Sequence, residues 1–181
     1  MHLEEKTTDS KPVFSGKVVD LRVDTVELED GSSATREVIS HPGGACVVPL
    51  DDNGDIIMVK QFRYPFGTQL IEVPAGKLNY GENPYETALR ELKEETGAVC
   101  DKVTDLGVCY PTVAYDTEKI HMYLCEGLHF EDRHLDEDEF LDVIRMPFEK
   151  AVKMVMNNEI PDAKSQIAIL KSMVIINGRT D

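Results

Sequence analysis

An α+β fold is the class that this 181-residue sequence predicts. Strand patterns dominate the first half of the chain, whereas helical and strand patterns mix in the second half. No internal repeat is present. With 41% hydrophobic residues the chain has enough apolar material for a core, and its length suits one domain with a small extension.

The N-terminal extension is predicted to be an antiparallel hairpin. Apolar residues alternate with polar ones between Val18 and Leu28, Asp30-Gly31 supplies a turn, and residues 35–39 resume an extended pattern. A short breaker at residues 41–44 follows. We therefore expect an extension over residues 1–43 and a main domain over residues 44–181.

The main domain is predicted to contain six strands and three helices. The first helix has Asn83 as its N-cap, Pro84 at its first position and Glu86 in a capping-box position, and it ends at Gly97. The second helix follows Pro147, and the third covers residues 163–173. The strands are expected at residues 45–50, 56–62, 69–73, 103–110, 120–124 and 141–146.

The charge balance limits the classes of partner. The chain carries 34 acidic and 19 basic residues, a formal net charge of −15, and such a surface repels nucleic acid and anionic membranes. The sequence begins without an apolar signal segment, holds no run of membrane-spanning length, and has four scattered cysteines that suit reduced thiols. These features predict a cytoplasmic protein. Because the chain is strongly acidic, a polyanionic substrate would need bound cations or local arginines.

Three glutamates of the first helix form the pattern with the most chemistry. Glu91, Glu94 and Glu95 stand at positions i, i+3 and i+4, so they project from one side of the helix. Carboxylate oxygens are ligands that Mg²⁺ prefers, and a cation would relieve the repulsion among them. An acidic helix face that is merely solvated is the alternative interpretation.

The spacing of a longer set of residues favours the metal site. The chain resembles the Nudix box at its named positions, which are Gly76, Glu82, Arg90, Glu91, Leu92, Glu94, Glu95 and Gly97; only the small Ala98 departs from the final aliphatic position. The resemblance implies a mixed β-sheet between helices. It also implies that Glu91, Glu94, Glu95 and the Ala75 carbonyl bind Mg²⁺, with Mn²⁺ as a substitute, that Arg90 orients a glutamate, and that Glu82 braces the loop.

Segments outside the box resemble the ADP-ribose pyrophosphatase branch of the Nudix family. They lie at residues 14–18, 61–65, 72–77, 135–140 and 160–164, and the likeness covers roughly residues 12–172. In that branch the N-terminal sheet exchanges between subunits, so the resemblance implies a homodimer. It also implies that Arg63, and with it Arg36, contacts substrate phosphate; a surface ion pair is the alternative for each arginine.

A loop acid is the implied general base or further metal ligand. Glu139 matches that position, and Glu137 in the same acidic run is its rival. The branch pattern Ser-Pro-Gly is replaced here by Thr112-Val113-Ala114, in the loop that shapes the non-adenosine end of the substrate.

The predicted function is Mg²⁺-dependent hydrolysis of the diphosphate of ADP-ribose to AMP and ribose 5-phosphate. Alternatives are hydrolysis of a nucleotide sugar, NADH or a dinucleoside polyphosphate, the last marked by Tyr115, or a non-catalytic nucleotide sensor. The sequence leaves the preferred substrate and the number of metal ions open.

Overall fold

The computed structural model describes residues 2–135 and 140–178, which form two compact units. The first unit contains the chain up to Gly43 together with residues 110–119, and the second contains residues 44–109 and the chain from Ile120 onward. In the parts of the chain that the structure describes, no helix has the length and apolar character needed to cross a lipid bilayer.

The first unit is built on a three-stranded antiparallel sheet in the order β1 (Lys6–Ser15), β2 (Asp20–Glu27), β3 (Ser33–Ser40). The predicted hairpin corresponds to β2 and β3, and its turn places Gly31 at φ 81°, a left-handed conformation that favours glycine. Strand β1 was not predicted. All its residues are exposed, so its sequence carries no alternation of apolar and polar residues.

Residues 110–119 belong to the first unit because they bond to the end of β3. The Ile39 N–H donates to the Tyr115 carbonyl at 2.7 Å, and the Thr117 N–H donates to the Ile39 carbonyl at 3.0 Å. The predicted boundaries assign this segment, which includes Thr112-Val113-Ala114, to the main domain. Backbone pairing across more than seventy positions leaves no local sequence signal, which explains the difference.

The second unit is built on a seven-stranded mixed sheet. The strands are β4 (Gly44–Leu50), β5 (Asp55–Arg63), β6 (Thr68–Glu72), β7 (Ala75–Lys77), β8 (Ala98–Cys109), β9 (Ile120–Phe130) and β10 (Leu141–Pro147). The central path of the sheet runs β10-β5-β4-β9-β8, while β6 pairs with β5 and β7 with β4. Strands β4 and β9 are parallel, and the other pairs are antiparallel.

Helices cover both faces of this sheet, as predicted. Alternation along β4 sends Ala45 and Val47 to the face covered by α1 (Pro84–Thr96) and Cys46 and Val48 to the opposite face. That opposite face is covered by α2 (Phe148–Met156) and α3 (Ala163–Asn177). The sheet is therefore a central layer with a buried apolar cluster on each side.

The ends of the helices follow the predicted capping signals in part. Asn83 accepts a hydrogen bond from the Tyr85 N–H at 2.9 Å, and Gly97 ends α1 at φ 74°. Helix α3 extends beyond the predicted residue 173 to Asn177. Strand β8 begins at Ala98 rather than 103, because it pairs with β9 as far as Phe130.

Candidate active site

Helix α1 presents the three predicted glutamates with different exposures. Glu91 and Glu95 are 7% and 2% exposed, whereas the Glu94 side chain is 35% exposed. Ala88 and Leu92 anchor the helix against the sheet and are fully enclosed. Packing of that apolar face fixes the rotation of α1 and so directs the acids to the start of β7.

The turn at Gly76 lies directly against these acids. A Cβ built on Gly76 would sit 1.9 Å from the Cδ and Oε1 atoms of Glu91, so a side chain there and the observed Glu91 carboxyl exclude each other. One residue earlier, the Ala75 N–H donates to Glu95 Oε2 at 3.0 Å. The Ala75 N–H therefore positions Glu95, and the absence of a side chain at Gly76 leaves the space that the Glu91 carboxyl occupies.

Arg90 joins the remaining acids into one network. Its Nε and Nη2 donate to the two oxygens of Glu82 at 2.9 and 3.2 Å, and its Nη1 lies 2.7 Å from both Glu91 Oε1 and Glu94 Oε2. The hydrogen bond to Glu82 is the main cause that raises the pKa of Arg90. Hydrogen bonds from Arg90 and the Asn79 N–H lower the pKa of Glu82 to about 2. The network therefore keeps Glu82 ionised and ties the loop before α1 to Arg90.

The donor set has the chemistry of a site for a hard divalent cation. Glu91, Glu94 and Glu95 offer oxygen ligands, and the missing Cβ at Gly76 leaves room for the Glu91 carboxyl beside Ala75. In the described residues no three His, Cys, Asp or Glu side chains form a group that could hold a metal ion. The carboxylates are instead directed toward Arg90 and the backbone, so a cation would have to compete with those contacts.

A second charged network surrounds Arg63. Its Nε and Nη2 donate to the two oxygens of Glu72 at 2.6 and 2.7 Å. Glu72 is 1% exposed and also accepts a hydrogen bond from Lys164 Nζ. Burial acts to raise the pKa of Glu72, but the hydrogen bond from Arg63 and the charge of Lys164 outweigh it and bring the pKa to about 2. The predicted phosphate contact is thus also the partner of a buried carboxylate.

The Arg63 network continues to the start of α3. Lys164 Nζ lies 3.0 Å from Asp162 Oδ2, and Asp162 caps the helix by accepting from the Ser165 N–H at 2.9 Å. The Ser165 hydroxyl, fully buried, accepts from the Val73 N–H at 2.9 Å. Contacts between residues 72–73 and 162–165 therefore fix the end of β6 to α3.

A comparison with models of protein families identifies the family of this chain. The sequence model of the NUDIX domain matches residues 40–167, which include the whole acid cluster. The chain belongs to the NUDIX family. A second family model, the nucleoside diphosphate sugar hydrolase N-terminal domain, matches residues 5–39. The predicted Nudix hydrolase and its fold are confirmed.

Three proteins are similar to this NUDIX chain over most of its length. The ADP-ribose pyrophosphatase of Bacillus subtilis (strain 168) is 47% identical over 169 residues, covering 92% of this chain and 91% of that protein. A methanol dehydrogenase activator of Bacillus methanolicus is 41% identical over 168 residues, with coverages of 92% and 91%. A crystal structure described as an ADP compounds hydrolase is 20% identical with a TM-score of 0.86 and covers 97% and 96% of the two chains, which indicates the shared NUDIX fold.

The other predicted site residues of this NUDIX chain either belong to the first unit or lie outside the described residues. Arg36, on β3 in the first unit, donates from Nε to Glu5 Oε2 at 2.8 Å, so it forms an ion pair within that unit. Tyr115 also belongs to the first unit. Glu139 and its rival Glu137 lie outside the described residues.

Sequence reasoning missed the partners of Arg63, although a signal was present. Glu72 follows the apolar pair Leu70-Ile71 and precedes Val73, so the strand pattern places a charged residue among buried ones. A buried carboxylate requires a cationic partner, and that requirement could have led to a search for one. Lys164 lies 92 residues away, and no spacing rule connects the two.

A recess near the ends of β5, β6 and β10 was also missed. It has a volume of about 420 Å³ and is lined by Lys60, Phe62, Gln69, Arg133 and Phe140, among others. The aromatic rings of Phe62 and Phe140 are largely exposed. Exposed aromatic side chains beside cationic ones are suited to contact an organic anion.

Proposed function

We propose that the chain hydrolyses the diphosphate of ADP-ribose to AMP and ribose 5-phosphate. The observation that carries the proposal is that Arg90 contacts both Glu91 and Glu94, while Glu91 lies at the Gly76 turn and Glu95 accepts from the Ala75 N–H. The Bacillus subtilis relative, named an ADP-ribose pyrophosphatase, supports the choice of substrate.

The proposed reaction is an in-line displacement at phosphorus. The oxygen of a water molecule bonds to one phosphorus of the diphosphate, the bond from that phosphorus to the bridging oxygen breaks, and the bridging oxygen leaves on the other phosphate. The water loses one proton, for which Glu139 is the proposed acceptor and Glu137 the alternative. Both residues lie outside the described part of the chain.

A divalent cation, Mg²⁺ with Mn²⁺ as a substitute, would be held by Glu91, Glu94, Glu95 and the Ala75 carbonyl. When bound it would neutralise the diphosphate and activate the attacking water. Arg90 holds Glu91 and Glu94 close together, and the Ala75 N–H fixes Glu95. The chain thus orders its acids before substrate arrives, which lowers the cost of positioning at the moment of reaction.

Arg63 and Arg36 are the proposed contacts to substrate phosphate. Arg63 presents a side chain that is 37% exposed while one edge of its guanidinium is fixed by Glu72. We further propose a cytoplasmic homodimer, with residues 1–43 forming the dimer contacts, as the resemblance implies. Size-exclusion chromatography with light scattering, applied to the full chain and to a chain lacking residues 1–43, tests the dimer.

The test of the proposed function is a hydrolysis screen with product identification. Purified chain is incubated with Mg²⁺ and ADP-ribose, nucleotide sugars, NADH or dinucleoside polyphosphates, and the products are separated by chromatography. We expect AMP and ribose 5-phosphate to form fastest from ADP-ribose and no product to form with EDTA. Absence of turnover on every substrate, together with nucleotide binding, would instead identify the non-catalytic sensor.

Hydrolysis of a nucleotide sugar is the second candidate. It is favoured by the match of residues 5–39 to the nucleoside diphosphate sugar hydrolase N-terminal domain. The replacement Thr112-Val113-Ala114, in the loop expected to shape the non-adenosine end of the substrate, also leaves room for a different leaving group. A kcat/KM for a nucleotide sugar that exceeds the value for ADP-ribose would establish this candidate.

A further inference from the structure

The Glu72 carboxylate occupies one edge of the Arg63 guanidinium. Nε and Nη2 of Arg63 both donate to it, in the bidentate geometry that fixes a guanidinium in its own plane. Within residues 2–135 and 140–178, Nη1 of Arg63 makes no hydrogen bond, and the side chain is partly exposed. The arginine is therefore held at one edge and open at the other.

The Glu72 contact alone would weaken Arg63 as an anion-binding group. A carboxylate at 2.6 Å offsets most of the positive charge that a phosphate would otherwise meet. Lys164 restores a positive charge here, because its ammonium contacts Glu72 Oε2, the oxygen that also accepts from Arg63 Nη2, and so gives Glu72 two cationic partners. Asp162, which also contacts Lys164, bonds to the N–H of Ser165 at the positive end of the α3 dipole, so its charge is partly offset there.

Arg63 is also close to the acid cluster on α1. After the dominant hydrogen bond to Glu72, the charges of Asp162 and Glu95 add to the causes that raise the pKa of Arg63. The backbone geometry agrees, because Glu72, the partner of Arg63, lies three residues before Ala75, whose N–H donates to Glu95 Oε2 at 3.0 Å. Residues 72–75 therefore link the two charged networks of the second unit.

We propose that Lys164 is a positioning residue for Arg63: from the first turn of α3 it secures Glu72, so that Glu72 holds one edge of the guanidinium and the other edge is presented to a substrate phosphate. This inference rests on the proposed function for the identity of the phosphate ligand. The motif at residues 160–164, for which the proposed reaction gives no role, thereby acquires one.

A double-mutant cycle on kcat/KM for ADP-ribose tests the coupling. Arg63→Met and Lys164→Met should each raise KM about tenfold, the scale of one charge-assisted hydrogen bond, while kcat changes less. Because Lys164 acts through Arg63, adding Lys164→Met to the Arg63→Met chain should change KM by less than about threefold. Independent, multiplying effects of the two substitutions would overturn the proposal.

Lys171→Met is the matched control. Lys171 lies on the same helix and its Nζ donates to the Leu106 carbonyl, so its loss also removes a partly buried lysine contact. We expect this variant to lose some thermal stability and to keep KM within about twofold of the wild type. An equal rise of KM in the Lys171 and Lys164 variants would mean that Lys164 only stabilises the fold.

A spectroscopic measurement separates this inference from the proposed function. The Nε–H resonance of Arg63 in a ¹H–¹⁵N NMR spectrum, assigned by its absence in Arg63→Met, reports the hydrogen bond to Glu72 without any substrate. We expect it to shift and to exchange faster in Lys164→Met but not in Lys171→Met. An unchanged resonance in Lys164→Met would overturn the positioning role, whereas a wild type without hydrolase activity would overturn only the proposed function.

The double variant Glu72→Gln, Lys164→Met keeps the proposal testable if Lys164→Met alone does not fold. Replacing both residues removes the buried Glu72 charge together with Lys164. The charges that remain are on Arg63, which is partly exposed, and on Asp162, which caps α3, so this variant should be more stable than Lys164→Met alone. Its KM should nevertheless stay about tenfold above the wild type, because the amide that replaces the Glu72 carboxylate has only one oxygen to accept from Arg63. Return of KM to the wild-type value together with stability would show that Lys164 is structural.

Discussion

Gly76→Ala is expected to disable the acid cluster while leaving the fold in place. The added Cβ would lie 1.9 Å from the Glu91 carboxyl, whereas carbon atoms pack at about 3.5 Å, so the carboxyl must move by about 1.6 Å. That movement breaks the 2.7 Å contact between Glu91 and Arg90 Nη1. A misplacement on the order of 1 Å at a reacting group costs about 10²-fold in rate, and a forced fit in packed surroundings costs about 1–3 kcal/mol in stability.

The assay is kcat/KM for ADP-ribose at several Mg²⁺ concentrations, paired with thermal unfolding. We expect a loss of about 100-fold in kcat/KM and a weaker response to Mg²⁺, with a cooperative unfolding transition retained. The double variant Gly76→Ala, Glu91→Asp is the matched control, because a side chain shorter by one carbon–carbon bond withdraws the carboxyl by about 1.5 Å. It should recover stability without recovering activity.

Near-normal activity of Gly76→Ala would refute this expectation. If Gly76→Ala hydrolyses ADP-ribose within about twofold of the wild type, the Glu91 carboxyl does not lie against the turn during catalysis. In that case the close approach of Gly76 to Glu91 would be a feature of packing alone, and the space at Gly76 would have no role in catalysis.

Three further predictions concern the same unit. Glu91→Gln and Glu95→Gln should each lower kcat by about 10²-fold or more with unchanged circular dichroism, and near-normal turnover would refute the metal-ligand assignment. Because the pKa of Glu72 is lowered from 4.5 to about 2 in the folded chain, Glu72 contributes on the order of 3 kcal/mol of stability above pH 4.5. That contribution is lost as the pH falls toward 2, so urea unfolding should show a smaller loss between pH 5 and pH 3 in Glu72→Gln than in the wild type. Ser165→Ala removes the acceptor of the buried Val73 N–H and should lower the free energy of unfolding by about 1–3 kcal/mol, measured by urea titration; a change below a few tenths would mean that another group accepts that bond.

The elements that the sequence predicts well are those with local signals. Helix α1 starts after Asn83 and stops at Gly97 because capping and a left-handed glycine are properties of a few adjacent residues. Strand β1 and the first part of β8 were missed for the opposite reason. Their formation depends on pairing with β2 and β9, and an exposed or irregular strand carries no period of its own.

In the candidate site, too, the features with local sequence signals could be predicted and those that depend on long-range contacts could not. The spacing of Glu91, Glu94 and Glu95 follows from one helical turn and could be predicted from the sequence alone. The contacts that orient these acids could not, since Ala75 N–H reaches Glu95 across 20 positions and Lys164 reaches Glu72 across 92. Long-range ion pairs of this kind are fixed by the packing of α1 and α3 on the sheet, which no residue spacing encodes.

The acidity of the chain determines how activity should respond to changes in the two charged networks. Arg90 faces Glu82, Glu91 and Glu94, and Arg63 shares Glu72 with Lys164, so the cations beside the site mostly balance the chain's own carboxylates. A diphosphate approaching a chain of net charge −15 would then depend chiefly on the divalent cation that the glutamates are proposed to hold. Loss of Glu91 should therefore lower kcat/KM more than loss of Arg63. If Arg63→Met instead proved the more damaging of the two, the arginine rather than the bound cation would be the main source of positive charge at the phosphate.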